Sequence, residues 1–555
     1  MRAWFLPELI SEIRDVLGDD FPITTELPAN QNAWLAVPVF ALAKESGRTV
    51  ADVAAMVATK LESVSGITTE VFGGFVNIIP QNTVRVLKEA QESGLVADLG
   101  TGKTIVIDYS QPNIAKRMSV GHLRSTIIGD ALRRLYESLG YRVIGINYLG
   151  DWGTQYGKLV VAYQEKYGDL VPRKDVTIQE LFDLYVQYHT DETAERDDAA
   201  RAMFKRLENG DPAVMELWTF FVDISLIEYQ KIYDRLAISF TEPRMGESAH
   251  RDTFEAITTL VRDAGVSEIS DSAEIVNIGV TGAPFMLRKS DGATTYGTRD
   301  LAALKYRVDT YRPAAVLYVV SNEQTFHFQQ VFAVARMVGI APASIQLTHV
   351  KFGFVRLPEG KMSTRKGRVI FLDDLLDEAV RRARQVVDEK NPELTESEKS
   401  RIAEVVGVGA LKYFDLSHDR KHDIVFDWDR MLQLTGDSGP YLQYSYVRAT
   451  QILAKAGEAP GQIPELELPT DVQRLVRELA RFPLVVQRSA QENAPHILAQ
   501  YLNEVATQFS RFYELYPVLK AEKTERDVRL ALVRGIAITL KRGLTLLGIE
   551  APEKI

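Results

Sequence analysis

A strand–helix–strand pattern between residues 104 and 148 constrains the fold more than any other feature of the sequence. Thr104–Asp108 is a short run of β-branched and apolar residues, which is typical of a buried strand. Asn113 interrupts the pattern, a helical pattern begins near Gly121, and residues 141–148 form a second apolar run. Strands joined in this way pair in parallel through a right-handed crossover, so the chain should contain a parallel-sheet α/β domain.

Patterns on either side of this unit divide the chain into three parts. Residues 1–98 should form a small α/β domain, with a strand over 71–78 that a glycine pair interrupts. Residues 104–390 should contain the parallel sheet, with further strands over 314–320 and 345–354 and a charged helical insertion at about 158–240. Residues 397–555 have a helical pattern, including an apolar stripe that predicts core packing and consists of Leu530, Val533, Ile536, Leu540, Leu544 and Leu547.

The composition excludes several kinds of site. The chain has no cysteine, which excludes disulfide bonds, thiolate metal sites and a cysteine nucleophile. Its formal net charge of −10 argues against a surface that is basic throughout, but it is compatible with a local RNA-binding patch. Glu8, Glu12 and Asp15 argue against a signal peptide, and no apolar run approaches the roughly 18 residues of a membrane span. The expected location is therefore cytoplasmic.

A glycine–histidine pair lies where the first strand turns into the helix. Free N–H groups at a helix N-terminus attract phosphate, and ligands of parallel sheets bind at the carboxyl ends of the strands. Gly121 has no side chain, so a flat base can pack on its backbone, and His122 can donate a hydrogen bond to a phosphate oxygen. Alone, such a pair is more often structural than functional.

A basic loop between two glycines is the second candidate element. Gly360 and Gly367 enclose the sequence Lys-Met-Ser-Thr-Arg-Lys. Its cations can close over a triphosphate and neutralise the charge that develops on a leaving pyrophosphate. The alternative is an exposed basic turn, and only the combination with the glycine–histidine pair favours a nucleotide site.

These two motifs, about 240 residues apart, resemble the two signatures of class I aminoacyl-tRNA synthetases. The surrounding sequence is similar to the arginyl-tRNA synthetase family in particular. The similarity is carried by residues 108–116 and 324–330, by Gly-Asp-Trp-Gly-Thr-Gln at 150–155, by Thr-Tyr-Gly-Thr-Arg-Asp at 295–300 and by Gly-Pro-Tyr-Leu-Gln-Tyr at 439–444. It extends over nearly the whole chain.

The resemblance implies an α/β fold with a Rossmann-like catalytic domain over 104–390. It assigns an additional tRNA-binding domain to 1–98 and an all-helical anticodon-binding domain to 397–555. It also implies ATP-dependent ligation of L-arginine to its tRNA through arginyl-adenylate, with AMP and pyrophosphate as products and bound tRNA needed for activation. ATP and Mg²⁺ are the expected small molecules, a monomer is expected, and the sequence contains no dedicated cluster of metal ligands.

The family motifs also assign roles to residues of this sequence. Carboxylates must hold the substrate guanidinium in a fork, because it does not lose its proton. The resemblance places at the arginine site Asp108, Asn113, Tyr296, Asp300 and Gln324. The residues that it assigns to the ATP site are Ser119, Gly121, His122, His327, Gln330, His349, Lys361, Met362 and Ser363. The groups expected to stabilise phosphate charge are His122, Lys361, Arg365 and Lys116. The candidate tRNA contacts, for which core packing is the alternative, are Tyr441, Gln443 and Tyr444.

Two departures from the family pattern bear on function. Ser119 occupies the position of a usual histidine and cannot carry charge, so we expect Lys116, three residues upstream, to compensate in part. Arg365 supplies the charge of the second lysine of the loop motif. The alternatives are another class I synthetase, such as that for cysteine or glutamate, and a non-catalytic RNA-binding relative. Attachment of arginine to tRNA would distinguish all three.

Overall fold

A computed structural model describes residues 5–24, 33–81, 87–88, 98–279, 282–290, 292–356, 370–457, 463 and 466–555. Within these residues, no helix is both long enough and apolar enough to cross a membrane. The basic loop residues Lys361, Met362, Ser363 and Arg365 lie outside the described residues.

The described residues of the N-terminal region include three helices with defined bounds and a three-stranded antiparallel sheet. In chain order the elements are α1 (Phe5–Leu17), β1 (Leu35–Pro38), α2 (Phe40–Ser46), α3 (Val50–Leu61), β2 (Ile67–Phe72) and β3 (Phe75–Pro80), and the strand order is β1-β3-β2. The sequence pattern predicted one interrupted strand over 71–78, and this is corrected. Gly73 and Gly74 have φ values of 57° and 102° and form the turn of a hairpin. Two-residue turns with positive φ match the twist of paired strands, so these glycines reverse the chain.

The middle region begins with the predicted parallel unit, which consists of β4 (Thr104–Asp108), α4 (Val120–Ser138) and β5 (Arg142–Leu149). The predicted helical insertion follows as four helices, α5 (Thr154–Tyr167), α6 (Ile178–Thr190), α7 (Ala194–Glu208) and α8 (Pro212–Arg235). The chain then returns to the sheet at β6 (Glu242–Gly246), which pairs with β5 in parallel.

The parallel sheet is completed after a small antiparallel one. The next elements are α9 (Phe254–Asp263), β7 (Ser267–Ser270), β8 (Ala273–Val276), β9 (Phe285–Arg288), α10 (Tyr296–Tyr311), β10 (Ala315–Tyr318), α11 (Thr325–Met337) and β11 (Gln346–His349). The five parallel strands have the order β11-β10-β4-β5-β6. At the carboxyl edge Asp108 is in register with Tyr318 on one side and Ile146 on the other, and Tyr318 is in register with His349.

The rest of the chain is mainly helical. Its elements are β12 (Val355–Arg356), α12 (Leu372–Lys390), α13 (Glu396–Leu416), β13 (Ile424–Val425), α14 (Trp428–Met431), α15 (Gly439–Ala456), α16 (Thr470–Gln491), α17 (Pro495–Leu515) and α18 (Lys523–Leu546). The strand predicted over 345–354 is shorter than expected, because the chain leaves the sheet after His349. The N–H group of Gly353 instead donates to the carbonyl of Arg420, and β12 pairs with β13.

Two apolar cores lie on opposite faces of the parallel sheet. Ile105 and Ile107 face the core that contains α4 and the C-terminal helices, whereas Val106 faces the core of the insertion. This alternation follows from the period of two in a strand. The apolar stripe predicted over 530–547 is buried in the first core, as expected.

The first turns of α4 are joined to the C-terminal half of the chain by a buried ion pair. The Nε atom of Arg124 lies 3.1 Å from Oδ2 of Asp415 on α13, and both side chains are buried. Arg124 also donates from Nη1 to the carbonyl oxygens of Gly353, at 2.7 Å, and His422, at 3.0 Å. The helix that carries the glycine–histidine pair is therefore fixed to two other parts of the chain.

Candidate functional site

The loop between β4 and α4 is held in an unusual backbone conformation. Ser110, Gln111 and Ala115 have φ values of 76°, 55° and 59°, which residues other than glycine rarely adopt. The insertion helix α8 supports this conformation, because Ser225 Oγ accepts a 2.7 Å hydrogen bond from the N–H group of Ala115. The hydroxyl of Tyr229 lies 2.6 Å from the Asn113 carbonyl oxygen and 2.8 Å from that of Lys116. Strained backbone of this kind is typical of binding sites.

His122 at the start of α4 has a defined protonation state. Its Nδ1 atom accepts a 3.0 Å hydrogen bond from the N–H group of Ser119, whose hydroxyl lies 3.1 Å from the same nitrogen. Burial lowers the pKa of His122 to about 4, and the charge of Lys116 also lowers it. The imidazole is therefore neutral at pH 7, with its proton on Nε2, and it can donate one hydrogen bond. Gly121 beside it is exposed.

Lys116 is half-buried, and its Nζ atom lies 3.9 Å from the centre of the Tyr185 ring. Tyr185 belongs to α6, so the insertion and the β4–α4 loop meet at this cation–π contact. Burial lowers the pKa of Lys116 from its ordinary value. Within the described residues Lys116 forms no ion pair with an acidic side chain, so its charge is available to a ligand.

The chain that follows the basic motif is attached to this turn. β12 leads into residues 357–369, and residue 370 follows them. The N–H group of Val120, the first residue of α4, donates a 3.1 Å hydrogen bond to the carbonyl oxygen of Ile370. Ser119 also forms an isolated antiparallel bridge with Phe371. The sequence that carries Lys361 and Arg365 is therefore attached to the chain directly beside His122.

A second set of predicted residues meets between α10 and α11. Oδ2 of Asp300 lies 2.5 Å from Nε2 of His327, and both side chains remain partly exposed. Tyr296, one turn before Asp300, is 72% exposed, so its ring is free to cover a bound side chain. A cavity of about 380 Å³ adjoins these residues, and its lining includes Trp152, Gly153, Gln155, Tyr296, His327 and Gln330.

The structure gives Asp108 a partner that the sequence pattern does not suggest. Its Oδ2 atom lies 2.7 Å from Nη2 of Arg307, and both side chains are 1% exposed. Gln111 donates a 2.6 Å hydrogen bond to Oδ1 of Asp108. Burial raises the pKa of Asp108, while the charge of Arg307 and the Gln111 hydrogen bond oppose that rise. Both carboxylate oxygens are thus engaged inside the protein.

The remaining residues predicted to bind a ligand differ in exposure and in their hydrogen bonds within the protein. Asn113 and Gln324 are exposed, and Gln324 immediately precedes α11. Gln330 is buried and donates a 2.7 Å hydrogen bond to the carbonyl of Ala283. His349 Nε2 lies 3.0 Å from the carbonyl oxygen of Val320, and burial lowers the pKa of its imidazole. The side chains of Gln330 and His349 are therefore already engaged with backbone carbonyl groups of the protein.

Two of the three predicted tRNA contacts are corrected, because their side chains lie in the core. Gln443 is fully buried and donates to the carbonyls of Val405 and Glu550. Tyr441 is buried, and its hydroxyl donates to the carbonyl of Ala506. Tyr444 is half-buried, and its hydroxyl accepts a 2.7 Å hydrogen bond from Arg448. Helical spacing alone does not separate a buried face from a binding face.

Sequence reasoning missed two arginines beside Asp300. Arg299 Nη1 lies 2.6 Å from Oε2 of Glu247, and Arg307 pairs with Asp108. Burial raises the pKa of Glu247 to about 7, against the charge of Arg299. Asp300 and Arg307 are seven residues apart, which places both on one face of α10. This spacing could have indicated that Arg307 lies near the predicted arginine site.

No metal cage is formed by the part of the chain that the structure describes. Within those residues, no group of three or more histidine or carboxylate side chains is placed to hold a metal ion.

Family models, curated relatives and solved structures that match this chain describe tRNA synthetases or their domains. A family model described as the catalytic domain of class I (R) tRNA synthetases matches residues 85–428, and the DALR anticodon-binding domain model matches residues 442–555. "Arginine–tRNA ligase 1" of Bacillus cereus is 41% identical over 531 residues, covering 94% of this chain and 93% of the relative. "Arginine–tRNA ligase" of Chloroflexus aggregans is 39% identical over 577 residues, covering 99% of each chain. The solved arginyl-tRNA synthetase of Thermus thermophilus superposes with a TM-score of 0.86 at 26% identity and covers 99% of each chain.

Proposed function

The chain belongs to the arginyl-tRNA synthetase family, and we propose from this premise that it attaches L-arginine to tRNA at the expense of ATP. The observation that carries the proposal is the identity of 39–41% over 94–99% of the chain, in proteins named arginine–tRNA ligase. ATP is a substrate of this family, and tRNA and arginine are its partners. The α/β fold with a parallel sheet and C-terminal helices is the one expected from the sequence.

The reaction needs no nucleophile from the protein. In the first step a carboxylate oxygen of arginine attacks the α-phosphorus of ATP, the bond to the β-phosphate breaks, and pyrophosphate leaves. In the second step a ribose hydroxyl of the terminal adenosine of tRNA attacks the arginyl carbonyl, and AMP leaves. The protein contributes by holding the reactants in line and by stabilising negative charge.

The start of α4 supports the proposed ATP site. Neutral His122 presents its Nε2–H group and exposed Gly121 leaves room for a base, whereas the N–H group of Val120 is already bonded to the carbonyl of Ile370. Lys116 supplies the positive charge that Ser119 cannot. Lys361, Met362, Ser363 and Arg365 lie outside the described residues, and their proposed role at the leaving phosphates rests on the family motif and on the attachment of Ile370 to Val120. His327, Gln330 and His349 are proposed to line the base and ribose side.

Arginine is proposed to bind between α10 and the β4–α4 loop. Asp300 accepts the guanidinium hydrogens, and Tyr296 covers the aliphatic part of the substrate. Asn113 and Gln324, both exposed, orient its backbone groups. Asp108 contributes its charge to this region but is already paired with Arg307. A bidentate site of this kind favours arginine over lysine, since an ammonium group cannot satisfy two acceptors in a plane.

Further proposals concern the ion, the assembly and the domains. Mg²⁺ binds proteins mainly together with substrate phosphates, so we propose that it enters as a complex with ATP and needs no dedicated cage. We propose that the protein is a cytoplasmic monomer. The domain boundaries 1–98, 104–390 and 397–555 remain predictions, with Tyr444 as the candidate tRNA contact of the last domain.

One assay tests the function. Purified protein is incubated with ATP, Mg²⁺ and cognate tRNA, and the attachment of labelled arginine is compared with that of labelled lysine and citrulline. Arginine alone should be attached, and only when tRNA and ATP are both present. No attachment of arginine would make the proposal wrong and would favour a non-catalytic RNA-binding relative, whereas attachment of another amino acid would favour a different class I synthetase.

A further inference from the structure

An arginine of the chain itself lies at the carboxyl ends of the central strands. Arg307 on α10 is 1% exposed, and its Nη2 atom lies 2.7 Å from Oδ2 of Asp108, the last residue of β4. The carbon at the centre of its guanidinium lies 5.0 Å from the ring centre of Tyr148 and 5.1 Å from that of Tyr318. These rings belong to β5 and β10, the two strands that flank β4. The guanidinium therefore contacts three adjacent strands.

The pairing of Arg307 determines which carboxylate a ligand can reach. Asp108 is fully enclosed, with one oxygen on Arg307 and the other on Gln111. Glu247 is paired with Arg299 at 2.6 Å. Asp300, by contrast, has a side chain that is 19% exposed, and its Oδ2 atom lies 2.5 Å from Nε2 of His327. Asp300 is therefore the carboxylate of this group that no arginine occupies and that an incoming cation can meet.

We propose that Arg307 is a positioning residue of the arginine site, which holds the Asp108 carboxylate turned inward so that the substrate guanidinium is directed to Asp300. This inference rests on the proposed function. Arg307 acts through Asp108 and does not contact the substrate. The two residues of α10 have separate tasks, because Asp300 meets the ligand while Arg307, seven residues later on the same face, fixes the neighbouring strand end.

Removal of Arg307 would leave a buried carboxylate without a cation. Burial already raises the pKa of Asp108, and Arg307 is the strongest opposing group. The other groups facing Asp108 are the Asp300 carboxylate, which raises its pKa further, and the Gln111 amide. Tyr148 and Tyr318 also face the pair. Without Arg307, the pKa of Asp108 should therefore rise further, and a protonated Asp108 would change the shape and charge of the arginine site.

The test compares wild type with Arg307→Met and Arg307→Lys in steady-state aminoacylation. The Met variant should raise KM for arginine at least about tenfold while KM for ATP changes less than about twofold. Its kcat/KM for arginine should increase more steeply with pH than that of wild type, because Asp108 loses its proton as the pH rises. The Lys variant keeps a charge without the planar fork and should recover part of the loss.

Two controls separate positioning from general damage. Arg477→Met removes another buried arginine, which pairs with Glu478 on α16, and should lower the melting temperature without changing KM for arginine. Asp108→Asn combined with Arg307→Met removes both charges and should abolish the new pH dependence. If Arg307→Met does not fold, Arg307→Lys decides the question, with an expected rise in KM for arginine of about threefold or more.

The outcomes distinguish this inference from the proposed function. A wild-type protein that attaches no arginine overturns the function itself. An active wild type whose Arg307→Lys and Arg307→Met variants keep the wild-type KM for arginine, or lose affinity for ATP and arginine equally, overturns the role of Arg307 alone.

Discussion

The two sides of the candidate active site present charge in different ways. At the start of α4, the described side chains include the neutral imidazole of His122, the hydroxyl of Ser119 and the cation of Lys116, while neighbouring Arg117 is paired with Asp373 and Asp374. At α10, two ion pairs, Asp108–Arg307 and Glu247–Arg299, lie close to the contact between Asp300 and His327. The side proposed for an anion is thus poor in unpaired fixed charge and relies on neutral donors and one lysine. The side proposed for a cation combines two enclosed ion pairs with the partly exposed carboxylate of Asp300.

The difference suggests that the two ligands are recognised by different physics. A triphosphate is flexible and highly charged, and any cation near it contributes, so a loop can supply the charge. A guanidinium is planar and carries one charge, so its acceptors must be fixed before it arrives. Four predictions test this contrast.

The largest effect is expected for Asp300→Asn on the charged side. An amide cannot accept two guanidinium hydrogens, and loss of one partner from a buried charge pair costs about 2–5 kcal/mol. We expect kcat/KM for arginine to fall about 1000-fold in tRNA aminoacylation. The control is Asp309→Asn, since Asp309 is an exposed residue of the same helix that pairs with Lys305. A loss below about tenfold would show that another group binds the guanidinium.

The second effect concerns the single donor on the uncharged side. His122→Ala removes the Nε2–H group and should lower the rate of arginyl-adenylate formation about 100-fold, as for other single donors in oxyanion sites. His122→Gln keeps an N–H donor and should recover part of the rate. His189→Ala on the surface of α6 is the matched control. Equal rates for His122→Ala and wild type would remove His122 from the phosphate site.

A smaller effect is expected for Lys116, which tests whether this side lacks other fixed charge. Lys116→Met keeps packing on Tyr185 but removes one charged donor, which is worth about 1.5 kcal/mol or a tenfold loss of adenylate formation. Lys116→Arg should restore most of the rate. Lys174→Met, at an exposed position, serves as control. An unaffected Lys116→Met variant would refute compensation for Ser119.

The smallest expected effect is an absence of titration at His122. Its pKa lies at about 4, so lowering the pH from about 8 to 6 should not protonate it. Protonation below that range would remove the acceptor for the Ser119 N–H group. NMR spectra of histidine-labelled protein, with His122→Gln used for assignment, should show that the imidazole of His122 stays neutral over this range. A His122 signal that titrates near its ordinary pKa of about 6.5 would contradict the neutral donor.

The strand–helix–strand unit of the parallel sheet can be predicted because it depends on sequence patterns within short segments of the chain. Apolar runs at β4 and β5 and the break at Asn113 are enough to indicate a parallel unit, and the structure contains it. The hairpin at Gly73 and Gly74 has the same local apolar pattern as an interrupted strand, and only the positive φ values separate the two. The end of β11 depends on a contact with Arg420, which is distant in sequence.

The candidate site is predictable only in part, for a related reason. The order of the motifs identifies His122, Asp300 and Tyr296 as candidate site residues. It does not show which carboxylate forms an ion pair with an arginine of the protein itself. Asp108 and Asp300 are similar as sequence features, yet one is enclosed by Arg307 and the other is partly exposed. Gln443 has the spacing of a binding face and is completely buried. Such outcomes depend on packing between distant segments.

The contact between Arg124 and Asp415 has a mechanical consequence. Arg124 lies two residues after His122, and it joins the first turns of α4 to α13 and to residues 353 and 422. Loss of a partner from such a buried pair costs about 3–5 kcal/mol. A rotation of α13 that preserves this pair must therefore carry the first turns of α4 with it. Such a movement reaches the start of α4 directly, because the pair joins the two helices without passing through the parallel sheet.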